Sequence, residues 1–362
     1  MSRAIYDIAI VGGGIAGCAA AIALAGGGRS AVMLAPPQDE RDRFGEFLSP
    51  AANELLHKLG LAEAFRAGPH RPANATYTAW GSGSLVERNA LMHVEGPGHV
   101  LDRPAFERLL RDAAERSGIA VLPKALDGAV HDGTMWSMQL VDGPEIAARF
   151  VLDCSGRTAV VARRYAVHRR EDRLVAAGAF LRQRTDEVEP TPATLIEAVP
   201  EGWWYASLLP DRRLALVLFG DSDTLPRGLA HDTTAWRECV EATQYVRQWL
   251  DSAGFDSDVQ PRLAGAATTW LDPVAGPGWA AAGDAAAAFN PLSSHGLTTA
   301  LWGGRRAALA AVAALDGDAE PLESYAATVR RAVQDFLGQR QATYAREGRW
   351  PALPFWRRRH SR

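Results

Sequence analysis

Three glycines near the start have the spacing of a diphosphate-binding loop. In the run Gly12-Gly13-Gly14-Ile15-Ala16-Gly17, the residues Gly12, Gly14 and Gly17 form a GxGxxG pattern. Gly12 permits the tight turn, Gly14 lets the backbone approach a pyrophosphate, and Gly17 lets helix and strand pack closely. The diphosphate would sit on the unpaired N–H groups at a helix N-terminus, where the dipole favours an anion. Such a loop needs a strand before it and a helix after it. Ala4–Val11 is an apolar run of strand length, Cys18–Ala25 is small and helix-permissive, and Ser30–Leu34 reads as a second strand. One part of the pattern is missing. The second strand should lead to an acidic residue for the ribose hydroxyls, yet Met33-Leu34-Ala35-Pro36-Pro37 has none; the nearest carboxylates are Asp39 and Glu40.

The rest of the chain supplies the elements that would hold such a ligand. A chain of 362 residues is long enough for a large core and two substructures. A net charge near −3 gives no global pull toward nucleic acid or acidic membranes. Cys18, Cys154 and Cys239 are widely spaced and make no metal-binding pattern, so no metal is expected and a reduced, cytoplasmic compartment is the default. The N-terminal apolar run flows into the glycine loop without the layout of a signal peptide, and no apolar run is long enough to predict a membrane-spanning helix. Pro50 opens a helix ending near Gly60, and Arg103-Pro104 opens another through Arg116. Phe150–Leu152 is a buried-type strand leading into Asp153-Cys154-Ser155-Gly156-Arg157. Between Leu174 and Phe219 four strands alternate with short turns at antiparallel meander spacing. Thr233–Ala253 reads as one helix. Trp279–Gly283 is an apolar strand ending at Asp284, before the loop Asn290-Pro291-Leu292-Ser293-Ser294-His295-Gly296. Helices are expected over Leu297–Leu315 and Leu322–Ala345.

Four features stand in one order: the glycine loop, the helix opened by Arg103, the DCSGR turn, and Gly283-Asp284 with its proline loop. In this order the sequence resembles the FAD-dependent monooxygenases and halogenases of the para-hydroxybenzoate hydroxylase fold, over nearly its whole length. Gly45-Glu46, the Trp80-Gly81 turn, Gly202-Trp203-Trp204-Tyr205 and the PLSSHG loop are most similar to the tryptophan-halogenase-like branch. That branch includes flavoproteins that hydroxylate protein-borne tryptophan during tryptophylquinone formation. The resemblance implies an α/β fold in which a Rossmann-type FAD-binding domain (residues 1–75, 99–172 and 260–320) is interleaved with a mainly antiparallel sheet domain for substrate (76–98 and 173–259). Residues 321–362 would add a C-terminal helix and basic tail. It also implies roles. Arg103 would neutralise the FAD diphosphate, and Asp153, Gly156 and Arg157 would form a second dinucleotide-contact turn. Gly283-Asp284 would meet the ribityl chain, and Pro291, Ser294, Gly296 and Leu297 would lie along the isoalloxazine. Backbone N–H groups at the start of the Leu297 helix would stabilise negative charge on the reduced ring. FAD would be held non-covalently, since no histidine or cysteine sits in an evident flavin-linking motif.

A flavin halogenase of this family needs a lysine between flavin and substrate, about thirty residues after the Gly-Glu turn. Here that region, Ala75–Ser82, has none; the chain's two lysines are Lys58 and Lys124. The family's GWxWxIP signature is also broken by extra residues before Pro210. The leading expectation is therefore an aromatic monooxygenase acting on an indole or phenol, free or borne by a peptide or protein, through a C4a-hydroperoxyflavin. The alternatives are an oxidase, desaturase or halogenase of a biosynthetic pathway, or a non-catalytic flavoprotein scaffold. His295 and Glu46 are the candidate acid–base groups, and Trp80, Trp203, Trp204, Tyr205 and Phe289 the candidate aromatic pocket. No second complete GxGxxG appears, so NAD(P)H would bind transiently or a separate flavin reductase would supply electrons. The tail from Arg349-Trp350 to Phe355-Trp356-Arg357-Arg358-Arg359 alternates aromatic and cationic residues. It reads either as a docking element for an acidic chain or as a solvated end.

Overall fold

The protein is described by a computed structural model that covers residues 3–37, 43–89 and 97–360. Strand Ala4–Val11 ends in four buried residues at the centre of a parallel sheet. Glu145–Asp153 and Ala31–Leu34 flank it in parallel, and Trp279–Ala281 and Ala120–Leu122 continue the sheet on either side. The hairpin Leu126–His131 with Trp136–Leu140 extends it antiparallel. Val11, Leu34, Asp153 and Ala281 therefore end along one edge, and in such sheets a ligand crevice lies outside the carboxyl ends of the strands. Helix Ile15–Leu24 leaves from this edge and packs against helix Gly296–Leu315 at backbone contact. A Cβ on Gly304 would lie 2.0 Å from the Ala16 carbonyl oxygen, and one on Gly17 would lie 1.8 Å from that of Gly12.

The second sheet has seven strands in the order Arg262–Gly265, Leu174–Leu181, Leu214–Asp221, Gly202–Leu208, Thr194–Val199, Ala75–Ala79 and Val86–Asn89. The meander expected between Leu174 and Phe219 forms its centre. Every pairing is antiparallel except Thr194–Val199 with Ala75–Ala79. One face is covered by helices Thr233–Glu241 and Tyr245–Ala253, where a single helix had been expected. The break has a local cause. The buried Glu197 carboxylate accepts the N–H groups of Gln244 (2.8 Å), Tyr245 (3.0 Å) and Val246 (2.8 Å), capping a new helix start.

The C-terminal segment is structural, which corrects both readings of the tail. Helix Glu320–Ala345 packs on Gly296–Leu315, and a short helix, Pro354–His360, buries Phe355 and Trp356 against the second sheet. Trp356 Nε1 donates to the Val199 carbonyl at 2.9 Å. Arg359 pairs with Asp221 at 2.7 Å, and Arg358 with Asp221 and Asp223 at 2.9 and 2.7 Å. Cations committed to carboxylates within the chain, the buried Asp221 among them, are not a free basic tail. Among the described residues no helix is long and apolar enough to cross a membrane.

Candidate functional site

A cavity of about 700 Å³ runs from the carboxyl edge of the parallel sheet to the face of the second sheet, a size suited to a small-molecule ligand. At one end is the glycine loop. Gly12 has φ +115°, and a Cβ there would meet the Cys154 carbonyl oxygen at 2.4 Å; at Gly14, which lines the cavity, a Cβ would meet nothing within 4 Å. The loop thus turns where only glycine fits and leaves the first N–H groups of helix Ile15–Leu24 open to the cavity. Ala35, not an acid, abuts the loop beyond the second strand: a Cβ on Gly13 would lie 2.5 Å from its Cβ. Asp39 and Glu40 fall outside the described residues.

Around this end lie Arg103, Arg157 and Asp284. Arg103 opens helix Arg103–Arg116, which Asp102 caps by accepting from Ala105 N–H at 2.8 Å. Its guanidinium pairs with Glu107 at 2.6 Å and donates to the Gly45 carbonyl, while its buried Nε has no partner. Arg157 donates to Ala267 O at 2.6 Å and stands 3.5 Å from Asp284. The Asp284 side chain is 42% exposed, but into the cavity, with protein around it. Desolvation there raises its pKa, opposed by Arg157 and Arg103. Asp153 is placed differently from expectation. Its oxygens accept from Ser155 N (3.0 Å), Ser155 Oγ (2.5 Å), Val161 N (2.8 Å) and Ala162 N (2.8 Å). It builds the turn that presents Gly156 and Arg157 and is not itself on the cavity wall. Gly283, with φ +61°, likewise shapes the approach to Ala16.

The middle of the cavity is bounded by Phe289, Asn290, Pro291, Ser293, Ser294, Gly296 and Leu297, where helix Gly296–Leu315 starts with no acidic residue in its first turn. Asn290 is fully buried. It caps the proline turn by accepting from Leu292 N–H (3.0 Å) and donates from Nδ2 to Tyr344 Oη (3.2 Å). Tyr344 Oη also accepts from Trp203 Nε1 at 3.1 Å, so one hydroxyl of the C-terminal helix joins the loop to the second sheet. Ser294 is left-handed (φ +54°). The next residue, His295, expected to be an acid or base beside the ring, is exposed and is not among the residues lining the cavity. Though its surface is open, the protein packed around the ring partly desolvates it and lowers its pKa.

The far wall is the inner face of the second sheet. Trp203 and Tyr205 point into it with Ala176, Val217 and Phe219, and Trp203 stacks on Phe219 at 4.1 Å. Trp204 does not. Alternation along Gly202–Leu208 sends it to the opposite face, where it packs on Trp236 at 5.0 Å. Trp80 lies behind Trp203, between it and Trp356, and donates to Thr343 O at 2.9 Å. Trp80 and Trp204 are therefore core. Glu46 lines the cavity at only 2% exposure. Gly45, at φ +94°, turns the side chain inward, and the segment is held by Leu101 N–H on Glu46 O (2.8 Å) and by Ser49 Oγ with Thr298 Oγ1 (2.8 Å). Gly45 N–H donates to Oε2 at 2.9 Å. Oε1 is buried without a formed hydrogen bond, although the Tyr205 hydroxyl is near enough for each group to influence the other. Desolvation raises the Glu46 pKa, and desolvation with the Glu46 charge raises that of Tyr205 well above its ordinary value. Neither lysine reaches the site: Lys58 pairs with Glu54 at 2.5 Å on a helix surface, and Lys124 donates to Asp142 O at 2.8 Å. Sequence reasoning missed Arg43, Phe44 and the strand Arg262–Gly265, all on the cavity wall.

The residues fit FAD. A bare glycine loop, two arginines, a second open helix N-terminus and a flat aromatic wall match a diphosphate, a polar chain and a planar ring in turn. Together with a parallel nucleotide-type sheet and an antiparallel partner sheet, they define an FAD-dependent oxidoreductase. Residues 84–362 match the tryptophan halogenase family model, and the chain belongs to that family. LodB of Marinomonas mediterranea, named as an FAD-dependent oxidoreductase, is 26% identical over 98% of this chain and 97% of its own length. The myxobacterial chondrochloren halogenase CndH superposes with a TM-score of 0.87 at 19% identity, covering 99% of this chain and 86% of that one. The peptidyl tryptophan dihydroxylase QhpG superposes with a TM-score of 0.79 at 24% identity, covering 98% and 79%.

Proposed function

We propose that the protein is an FAD-dependent monooxygenase that hydroxylates an electron-rich aromatic ring, an indole or phenol, presented by a peptide. The observation that carries this reading is a cavity with an aromatic wall, a buried open carboxyl and no lysine: both lysines of the chain are engaged elsewhere. Lysine-relayed halogenation therefore lacks its relay. The likeness to a peptidyl tryptophan dihydroxylase supports the peptide-borne aromatic. Gly14 and the helix it opens, with Arg103 and Arg157, would hold the FAD diphosphate; Asp284 would meet the ribityl chain, and Pro291 to Leu297 the ring. When bound, the flavin supplies reductive activation of oxygen for transfer to an electron-rich carbon. The remaining work falls to the chain. Trp203 and Phe219 present flat surfaces for an aromatic substrate, worth about 0.5–1.5 kcal/mol per ring pair. Glu46 Oε1 is an unfilled acceptor for an indole N–H or phenol O–H. With Tyr205 beside it, Glu46 is the group placed to take up the proton the ring loses. Burial of this end excludes water. Electrons would come from NAD(P)H binding transiently or from a separate flavin reductase.

The test is incubation of the FAD-loaded protein with a flavin reductase, NADH, isotopically labelled oxygen and tryptophan-containing peptides, with and without bromide. One labelled oxygen in the product, independent of halide, is expected. A brominated product would overturn the reading in favour of a halogenase. Peroxide formed in proportion to reductant consumed, with unmodified peptide, would favour an oxidase.

A further inference from the structure

The cavity is walled on one side by five consecutive residues, Arg262, Leu263, Ala264, Gly265 and Ala266. These residues include the edge strand of the seven-stranded sheet, paired only with Leu174–Leu181 among the described residues. All four residues of Arg262–Gly265 are exposed, Leu263 by 55%. Ala266 N–H donates to Leu174 O at 3.1 Å, and the register pairs Ala264 with Ala176 and Arg262 with Gly178. In an antiparallel ladder, residues that bond across it alternate with residues whose N–H and C=O point the other way. Leu263 and Gly265 therefore direct theirs to the open edge. Edges are commonly blunted by charge, proline or cover because they template another strand. This one has the uncharged Leu263 and Ala264 at its centre and opens beside the cavity. Arg262 lies on the same sheet face as Tyr205, through its register with Gly178 and Val217, and has no ion-pair partner among the described residues.

We infer that Arg262–Gly265 is the docking strand for the substrate peptide. An extended segment adds to the sheet through the N–H and C=O groups of Leu263 and Gly265 and delivers its aromatic side chain into the cavity. An acidic residue near the aromatic one pairs with Arg262. The occupant follows from three features: an open strand edge selects an extended backbone, its continuity with the aromatic wall selects a flat side chain, and the lone guanidinium selects a carboxylate. The inference rests on the proposed peptide substrate but concerns binding, so it is tested apart from turnover.

The probe is a blocked peptide of about seven residues, enough to overlap a short strand, with a central tryptophan and an adjacent aspartate, added to the FAD-loaded protein. Hydrogen exchange at the Leu263 and Gly265 amides should slow on binding, with the inward amides of Arg262 and Ala264 little changed. Methylating alternate peptide nitrogens should weaken binding by on the order of tenfold in the register facing Leu263 and Gly265, and little in the other. Leu263→Pro removes one outward donor at a position where an edge strand tolerates proline and should weaken binding; Leu263→Ala, which keeps the N–H, should not. Replacing the aspartate by asparagine should cost affinity in the native protein and none in Arg262→Gln. Hydroxylation of the peptide with unchanged exchange, and equal affinity for both methylated registers, would overturn the docking strand and leave the reaction standing. Protection of the two amides without hydroxylation would leave the docking strand and overturn the reaction. Absence of both would overturn the docking strand.

Discussion

Tyr344→Phe isolates the hydroxyl that joins the two halves of the site. The substitution keeps the ring, its contact with Trp80 at 5.7 Å and the Arg359 guanidinium over it at 4.9 Å, and the backbone carbonyl 3.2 Å from His360 Nε2. It removes one oxygen. Two buried donors, Trp203 Nε1 and Asn290 Nδ2, then lose their acceptor. Each buried donor left unpaired costs about 1–3 kcal/mol, so the variant should be less stable by roughly 2–6 kcal/mol. The assay is urea unfolding with linear extrapolation, native and variant, each with its FAD content measured. Asn290→Ala should cost less in the Tyr344→Phe background than in the native one, because the shared bond is already gone. FAD retention should fall too, since Asn290 caps the proline turn that lines the cavity. A loss below about 0.5 kcal/mol, with additive effects and native FAD retention, would refute the reasoning.

Two further outcomes follow from the cavity. The Glu46 pKa is raised in the folded protein, so the native state binds more protons than the unfolded chain above the ordinary value of 4.5, and its stability falls as pH rises from there. Glu46→Gln should therefore be more stable than the native protein at pH 8 and lose that advantage at or below pH 4.5, each unit of raised pKa being worth about 1.4 kcal/mol; urea midpoints across pH measure this, and turnover should fall in the same variant. Gly17→Ala would place a methyl 1.8 Å from the Gly12 carbonyl, so the glycine loop must shift, and the purified variant should lose its flavin absorbance.

Much of the fold was legible because it is local. The glycine loop, its strand and helix, the meander from Leu174 and the long helix over Glu320–Ala345 are written in consecutive residues. Trp204, expected in the pocket with its neighbours, was misplaced although the signal was there: on a strand holding Trp203 and Tyr205 on one face, period two puts it on the other. What stayed hidden depends on distant partners. Nothing near Thr233–Ala253 reveals that Glu197 will cap a helix in its middle. Nothing in the run of arginines after Trp356 reveals Asp221, which neutralises two of them from more than a hundred residues away. The exposure of His295 follows a left-handed Ser294, a conformation that its residue type does not announce. The edge strand at Arg262 was invisible because a four-residue run of Arg, Leu, Ala and Gly carries no strand pattern, and only its pairing with Leu174–Leu181 sets it beside the cavity.

The burial of Phe355 and Trp356 against a sheet already formed by Val199 and Trp203 bears on how the molecule comes into being. During synthesis the nucleotide loop emerges first, and domains begin to organise from the N-terminal side. The residues that brace the aromatic wall emerge last, with 157 positions separating Trp356 from its bonded carbonyl. A nascent chain therefore holds its glycine loop and first strands long before the aromatic wall of the second sheet is braced. A ribosome stalled before Tyr344 would leave the aromatic face of that sheet uncovered and prone to self-association.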